Sequence, residues 1–163
     1  MDRLWAPWRL SYVAGAKPPE GQEPCFLCRG LAETKDRENL IVRRRPHSLV
    51  VLNRYPYNNG HLLVAPNAHK PRLQDLNSEE HLEIQTTLAE LIDLYDRLLH
   101  PEGYNAGLNL GRVAGAGLPG HLHWHLVPRW NGDTNFMPVL NDTRVIVQSL
   151  DSLYELLAEA WKP

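Results

Sequence analysis

The segment His121-Leu122-His123-Trp124-His125-Leu126-Val127 constrains this chain more than any other, because imidazole and apolar side chain alternate strictly along it. A period of two is the period of a β-strand, in which successive side chains leave on opposite faces. The pattern therefore predicts a strand with His121, His123 and His125 on one face and Leu122, Trp124 and Leu126 on the other. A single histidine on a strand is commonly a solvated or hydrogen-bonded bystander, and His47, His81 and His100 are read that way. Three in strict alternation, backed by apolar residues, point to chemistry.

Around that strand the pattern predicts further short strands and two helices. Glu38–Arg43 and Ser48–Leu52 read as β-segments around the turn-forming Pro46, and His61–Ala65 follows a Pro56-to-Gly60 turn. From Ser78 the period changes: Ile84, Leu88, Leu91, Ile92, Tyr95, Leu98 and Leu99 recur every three or four residues and form one apolar stripe of a helix. Asn77 or Ser78 can cap its start, Glu79 and Glu80 suit its dipole, and Pro101 with Gly103 ends it near His100. Gly107–Gly111 alternates like a half-exposed strand, and Leu150, Leu153, Leu157 and Trp161 share one face of a last helix. Antiparallel hairpins around one long helix predict an α+β fold. The glycines from Gly111 to Gly120 do not follow the strand-Gly-x-Gly-x-x-Gly-helix order, which excludes a dinucleotide-binding Rossmann unit.

The 163 residues, 43% hydrophobic and 22% charged, suit one domain that needs no staple merely to hold a core. Residues 25–163 are read as that domain, and residues 1–24 as an arm bearing Trp5, Trp8 and Tyr12 followed by a loop rich in Gly and Pro. A net charge of −2 gives no basic field for coating duplex nucleic acid. No apolar run reaches the ~18 residues of a membrane span, and the start lacks the apolar stretch of a secretory signal. The expectation is a cytoplasmic protein. In a reducing compartment the pair Cys25-x-x-Cys28 reads as half of a metal site rather than a disulfide, so two more ligands must come from elsewhere.

Two chemistries suit the histidine strand. Same-face neighbours lie ~6.5 to 7 Å apart, so two reach one metal only with favourable rotamers, and three cannot do so comfortably. The metal-catalysis reading is thus the weaker. A neutral imidazole can instead attack phosphorus when a hydrogen bond on one ring nitrogen leaves the other free, while a neighbouring imidazole stabilises the charge that develops. The glycine-rich run Gly111–Gly120, feeding directly into the strand, supplies backbone that can close around phosphate oxygens.

His-Leu-His-Trp-His-Leu-Val resembles the histidine triad motif, His-φ-His-φ-His-φ-φ with φ apolar. The resemblance extends through Leu52-Asn53-Arg54-Tyr55-Pro56 and Gly60-His61-Leu62-Leu63-Val64-Ala65-Pro66, and covers about Cys25 to Phe136. Leu4–Arg9 and Pro128–Phe136 are similar to the bacterial branch near diadenosine tetraphosphate phosphorylases and fragile histidine triad hydrolases. The resemblance implies a histidine triad fold whose sheet extends across a homodimer. It also implies a nucleotidyl hydrolase or transferase acting on nucleoside polyphosphates. In it His123 is the nucleophile, His125 contacts the phosphate chain or leaving group, and His61 supports them. Asn53 binds ribose, while Asn109 and the loop containing Gly117, Leu118 and Pro119 approach the phosphates. Many relatives carry a polar Gly-Gln-Ser-like run before the triad, where this chain has Ala116-Gly117-Leu118-Pro119-Gly120, so backbone N–H groups or Arg112 must substitute. The resemblance also completes the metal set: a structural Zn²⁺ held by Cys25, Cys28, His69 and His121. The competing function class is a nucleotide-binding scaffold with little turnover.

Overall fold

The computed structural model describes residues 25–134 and 145–161. The Trp-bearing arm and the Asn135-Phe136 end of the family-like segment lie outside them. The elements, in chain order, are α1 (Phe26–Ala32), β1 (Ile41–Arg44), β2 (Ser48–Leu52), β3 (Leu62–Pro66), α2 (Ser78–Leu98), β4 (Gly103–Leu108), β5 (Trp124–Arg129) and α3 (Leu150–Ala160). The five strands form one antiparallel sheet in the order β1-β2-β3-β5-β4. The α+β expectation is met.

Helix α2 forms where the apolar stripe and its cap agree. Asn77 Oδ1 accepts from the Glu80 N–H while the Glu80 carboxylate accepts from the Asn77 N–H, a reciprocal capping box. Ile84, Leu88, Leu91, Leu94 and Tyr95 are buried on its inner face, and the helix packs on β2 and β3. At its far end His100 takes a left-handed conformation (φ 47°), which stops the helix. The Tyr95 hydroxyl donates to the Gly60 carbonyl at 2.7 Å inside the core, pinning the loop that delivers His61. Helix α3, capped by Ser149, buries Leu153 and Leu157 and packs against β1. Burying these side chains is the main favourable term; a fully buried leucine contributes on the order of 1.5–3 kcal/mol.

Three expectations need correction. The triad strand does not begin at His121: the β5 ladder starts at Trp124, opposite Val64 on one side and Leu108 on the other. His121, Leu122 and His123 therefore precede the ladder and must be held by other bonds. The strand expected over Gly107–Gly111 is displaced to Gly103–Leu108, because pairing with β5 sets its register, Gly103 against Arg129 through Leu108 against Trp124. The Cys pair lies at the start of a short helix, α1, which the sequence pattern did not indicate.

Candidate active site and metal centre

Strand pairing places the histidines. Leu63 and Gly107 stand opposite His125 on its two neighbouring strands, so the His125 imidazole shares a sheet face with a position that has no side chain. Leu122, Trp124 and Leu126 are buried, as the alternation requires. The three imidazoles nevertheless do not converge on one point. His123 and His125 lie edge to face with centroids 5.0 Å apart, whereas His121 meets His69 at 5.0 Å on the far side. His61 joins the row from the loop before β3, 5.1 Å from His125.

Fixed main-chain groups set the proton position on each ring. The His121 carbonyl can only accept, so the 2.9 Å contact from His123 Nδ1 makes that nitrogen the N–H, and the neutral ring then has its lone pair on Nε2. The Tyr57 N–H can only donate, so His61 Nδ1, 3.0 Å away, is its acceptor and His61 Nε2 carries hydrogen. That hydrogen points to His125 Nδ1 at 2.9 Å, so the His125 N–H is on Nε2. The two triad rings thus differ: His123 offers a lone pair at Nε2, and His125 offers an N–H there. Burial, then the neighbouring His123, lowers the His125 pKa to about 4, so this ring is neutral near pH 7.

Asn53, expected at ribose, turns its Oδ1 to the Tyr55 N–H at 3.0 Å and its Nδ2 to His61 Nδ1 at 3.2 Å. Asn109 Nδ2 lies 3.4 Å from His125 Nε2. With an N–H on that nitrogen, either the Asn109 amide oxygen turns to it or both donors meet one acceptor such as a phosphate oxygen. In the glycine-rich run, a 3₁₀ turn at Arg112–Ala114 spends the Gly115 and Ala116 N–H groups on the Arg112 and Gly111 carbonyls. The next turn, through Leu118, closes with the His121 N–H on the Leu118 carbonyl. Gly117, Leu118 and Pro119 therefore lead straight into the histidine row. A depression of about 360 Å³ beside that row is lined by Tyr57, Asn105, Gly107, Asn109, Val127 and His125 among others. The Tyr57 ring stacks on His125 (centroids 5.6 Å apart, planes 20°).

Cys25, Cys28, His69 and His121 come together, with one ligand atom from each lying within 4.8 Å of the others. The contacts are 3.3 Å from Cys25 Sγ to His121 Nδ1, 3.2 Å from Cys28 Sγ to His69 Nδ1 and 3.6 Å from Cys28 Sγ to His121 Nδ1. Bond lengths of ~2.3 Å to sulfur and ~2.0 Å to nitrogen give tetrahedral sulfur–nitrogen edges of about 3.5 Å, so the donors fit a zinc-sized ion. The proton on His121 agrees: its Nε2 lies 2.8 Å from the Pro66 carbonyl and donates to it, leaving the Nδ1 lone pair facing the thiols. Burial, then the His69 and His123 rings, lowers the His121 pKa and favours that neutral state, although the Pro66 bond opposes the shift. Gly120 leaves room beside His69, since a Cβ there would stand 3.3 Å from His69 Nε2, a tight contact.

Comparison with known proteins decides the family, since the HIT domain matches residues 34–132. This chain belongs to the HIT family. An AP-4-A phosphorylase from Mycobacterium tuberculosis is 39% identical over 99% of this HIT chain and 85% of its own length. The bis(5'-nucleosyl)-tetraphosphatase [asymmetrical] of Schizosaccharomyces pombe is 31% identical over 57% of the chain and 50% of its own. Among solved structures, a Zn-bound histidine triad family protein from Mycobacterium smegmatis superposes with a TM-score of 0.66 at 25% identity, covering 86% of this chain and 94% of that one. Motif reading of the HIT chain missed Tyr57, whose N–H fixes the His61 proton and whose ring covers His125. Tyr57 lies in the Pro56-to-Gly60 segment, whose sequence reads only as a turn.

Proposed function

We propose that this HIT-family chain is an enzyme that splits nucleoside polyphosphates of the diadenosine polyphosphate type through a nucleotidyl-histidine intermediate. His123 Nε2 attacks the phosphorus, a P–N bond forms, and the P–O bond to the departing phosphate breaks. His125 Nε2–H donates to the oxygens on which negative charge develops. Water or orthophosphate then attacks the same phosphorus, and the P–N bond breaks to return the neutral imidazole. His61 holds His125 in the tautomer this requires. Asn53, Asn109 and the loop through Gly117, Leu118 and Pro119 are the nucleotide-binding groups.

The observation that carries this reading is the pair of contacts from His123 Nδ1 to the His121 carbonyl and from His61 Nε2 to His125 Nδ1, which give the neutral rings a lone pair on His123 Nε2 and an N–H on His125 Nε2. The names of the two relatives, AP-4-A phosphorylase and bis(5'-nucleosyl)-tetraphosphatase, support the substrate class. Cys25, Cys28, His69 and His121 hold a structural Zn²⁺, which cross-links the thiols, His69 and the triad entry; its donor set is closed and leaves His123 uncoordinated. The functional unit is a homodimer that pairs through the long helix α2 and through β4, one of the two edge strands of the sheet. Product analysis with a diadenosine polyphosphate, with and without orthophosphate, tests the chemistry. A nucleoside diphosphate formed only with phosphate identifies phosphorolysis, and a nucleoside monophosphate formed in both identifies hydrolysis. No product in either overturns the proposal.

A further inference from the structure

The sheet does not hold the residue on which the proposed chemistry depends. The β5 ladder begins at Trp124, so His121–His123 lies outside strand pairing. Among the described residues, the main-chain bonds that fix this stretch are the His121 N–H on the Leu118 carbonyl, long at 3.4 Å, and the Leu122 N–H on the Lys70 carbonyl at 2.8 Å. The second is the better bond, and it transfers the question to Lys70.

Lys70 is itself tied down. Its Nζ lies 2.7 and 2.6 Å from the two carboxylate oxygens of Glu80, whose side chain is only 7% exposed. Glu80 is in turn fixed twice at the start of α2: its carboxylate accepts the Asn77 N–H at 2.7 Å, and its own N–H donates to Asn77 Oδ1 at 2.8 Å. Burial works against this carboxylate, but Lys70 and the Asn77 N–H outweigh it and hold its pKa below the ordinary value. The pair is only partly buried, with the Lys70 side chain 25% exposed, and such a pair is a poor source of stability because desolvation offsets much of its attraction. Its directional hydrogen bonds, by contrast, fix a position. Here they fix the main chain of residue 70 against a rigid 21-residue helix.

We infer that Lys70 and Glu80 are positioning residues for His123, acting through the Lys70 carbonyl, the Leu122 N–H and the His121 carbonyl that sets the His123 proton. The inference rests on the assignment of His123 as nucleophile for its kinetic arm and on geometry alone for the others. A displacement of about 1 Å at a reacting group can lower a rate by about a hundredfold. Loss of the brace is therefore expected to act on kcat rather than on KM.

The test compares the wild type with Lys70→Met/Glu80→Gln, which removes both charges, with Glu80→Gln alone should the pair not fold, and with Lys70→Arg, which keeps the charge and donors. Three quantities are read on zinc-supplemented, folded protein: hydrogen exchange of the Leu122 amide, the His123 tautomer by long-range proton–nitrogen spectroscopy, and kcat and KM with a diadenosine polyphosphate. The brace predicts Leu122 exchange at least about tenfold faster relative to sheet amides such as Val50. It also predicts a mixture of His123 tautomers, and kcat lower by about tenfold or more with KM within about twofold. Lys70→Arg restores all three. Unchanged Leu122 exchange and a single His123 tautomer in the folded double variant, or in Glu80→Gln where only that one folds, overturn the inference. A wild type without turnover overturns the proposed function instead, and the exchange and tautomer arms still decide the brace.

Discussion

The His125 imidazole makes folding stability depend on pH in a way that can be isolated. Its pKa falls from an ordinary 6.5 to about 4, chiefly because burial disfavours the imidazolium and secondarily because His123 adjoins it. The folded chain therefore refuses a proton that the unfolded chain accepts. Stability is unaffected well above pH 6.5, falls as the pH drops below that value, and stops falling near the folded pKa of about 4. Between about pH 8 and pH 5 the loss integrates to about 2 kcal/mol, an upper figure because the ring keeps partial contact with water.

The perturbation is His125→Asn, whose Oδ1 can take the place of Nδ1 as acceptor for the His61 Nε2–H. Urea unfolding of wild type and variant at the two pH values separates this group from the rest, since the Cys–His cluster and every carboxylate contribute equally to both proteins. With a urea slope of about 2 kcal/mol per molar, the wild-type midpoint should fall by about 1 M more than the variant midpoint. Equal falls in the two proteins would refute the argument and mean that His125 titrates in the folded state as it does in the open chain.

Other consequences are as direct. His123→Asn should abolish multiple turnover while leaving nucleotide affinity within about tenfold, because the lost atom makes the covalent bond and not most ground-state contacts; isothermal titration and a product assay separate the two. Cys25→Ser/Cys28→Ser should lose one zinc per chain by elemental analysis and unfold at a lower temperature. Gly60→Ala should destabilise by about 1–3 kcal/mol in urea, since Gly60 has φ 78° and the new Cβ would stand 2.8 Å from Pro128 Cγ. Light scattering at micromolar concentration should give a dimer mass, with an interface of at least ~1,000 Å²; a fully active monomer would remove strand pairing through β4.

Period and caps made most of the fold legible. The 3.6-residue stripe and the Asn77 cap located α2 within a residue or two, because local and tertiary preferences agree there. The sequence pattern points to Gly107–Gly111 where β4 runs Gly103–Leu108, for the opposite reason. Gly103-Tyr104-Asn105-Ala106-Gly107-Leu108 has weak β propensity of its own and is a strand because β5 offers it a partner. Helix α1 carries no Ser, Thr, Asp or Asn at its start; the Cys25 thiol takes the capping place, 3.5 Å from the Cys28 N–H, which no propensity anticipates.

For the site, periodicity told which side each histidine leaves but not what it meets. His121, His123 and His125 differ in nothing that the motif records, and each has a separate place in the structure because of one fixed group. The Pro66 carbonyl takes the His121 Nε2–H and turns that ring's lone pair to the thiols. The His121 carbonyl takes the His123 Nδ1–H and leaves Nε2 a base. The Tyr57 N–H, working through His61, makes His125 a donor. All three groups are main-chain atoms, so their hydrogen bonds do not depend on the identity of the side chain beside them, provided residue 57 keeps its N–H. A sequence motif cannot encode them, whereas a substitution that shifts Pro66 or Tyr57 without touching a histidine would exchange the chemistry of the row.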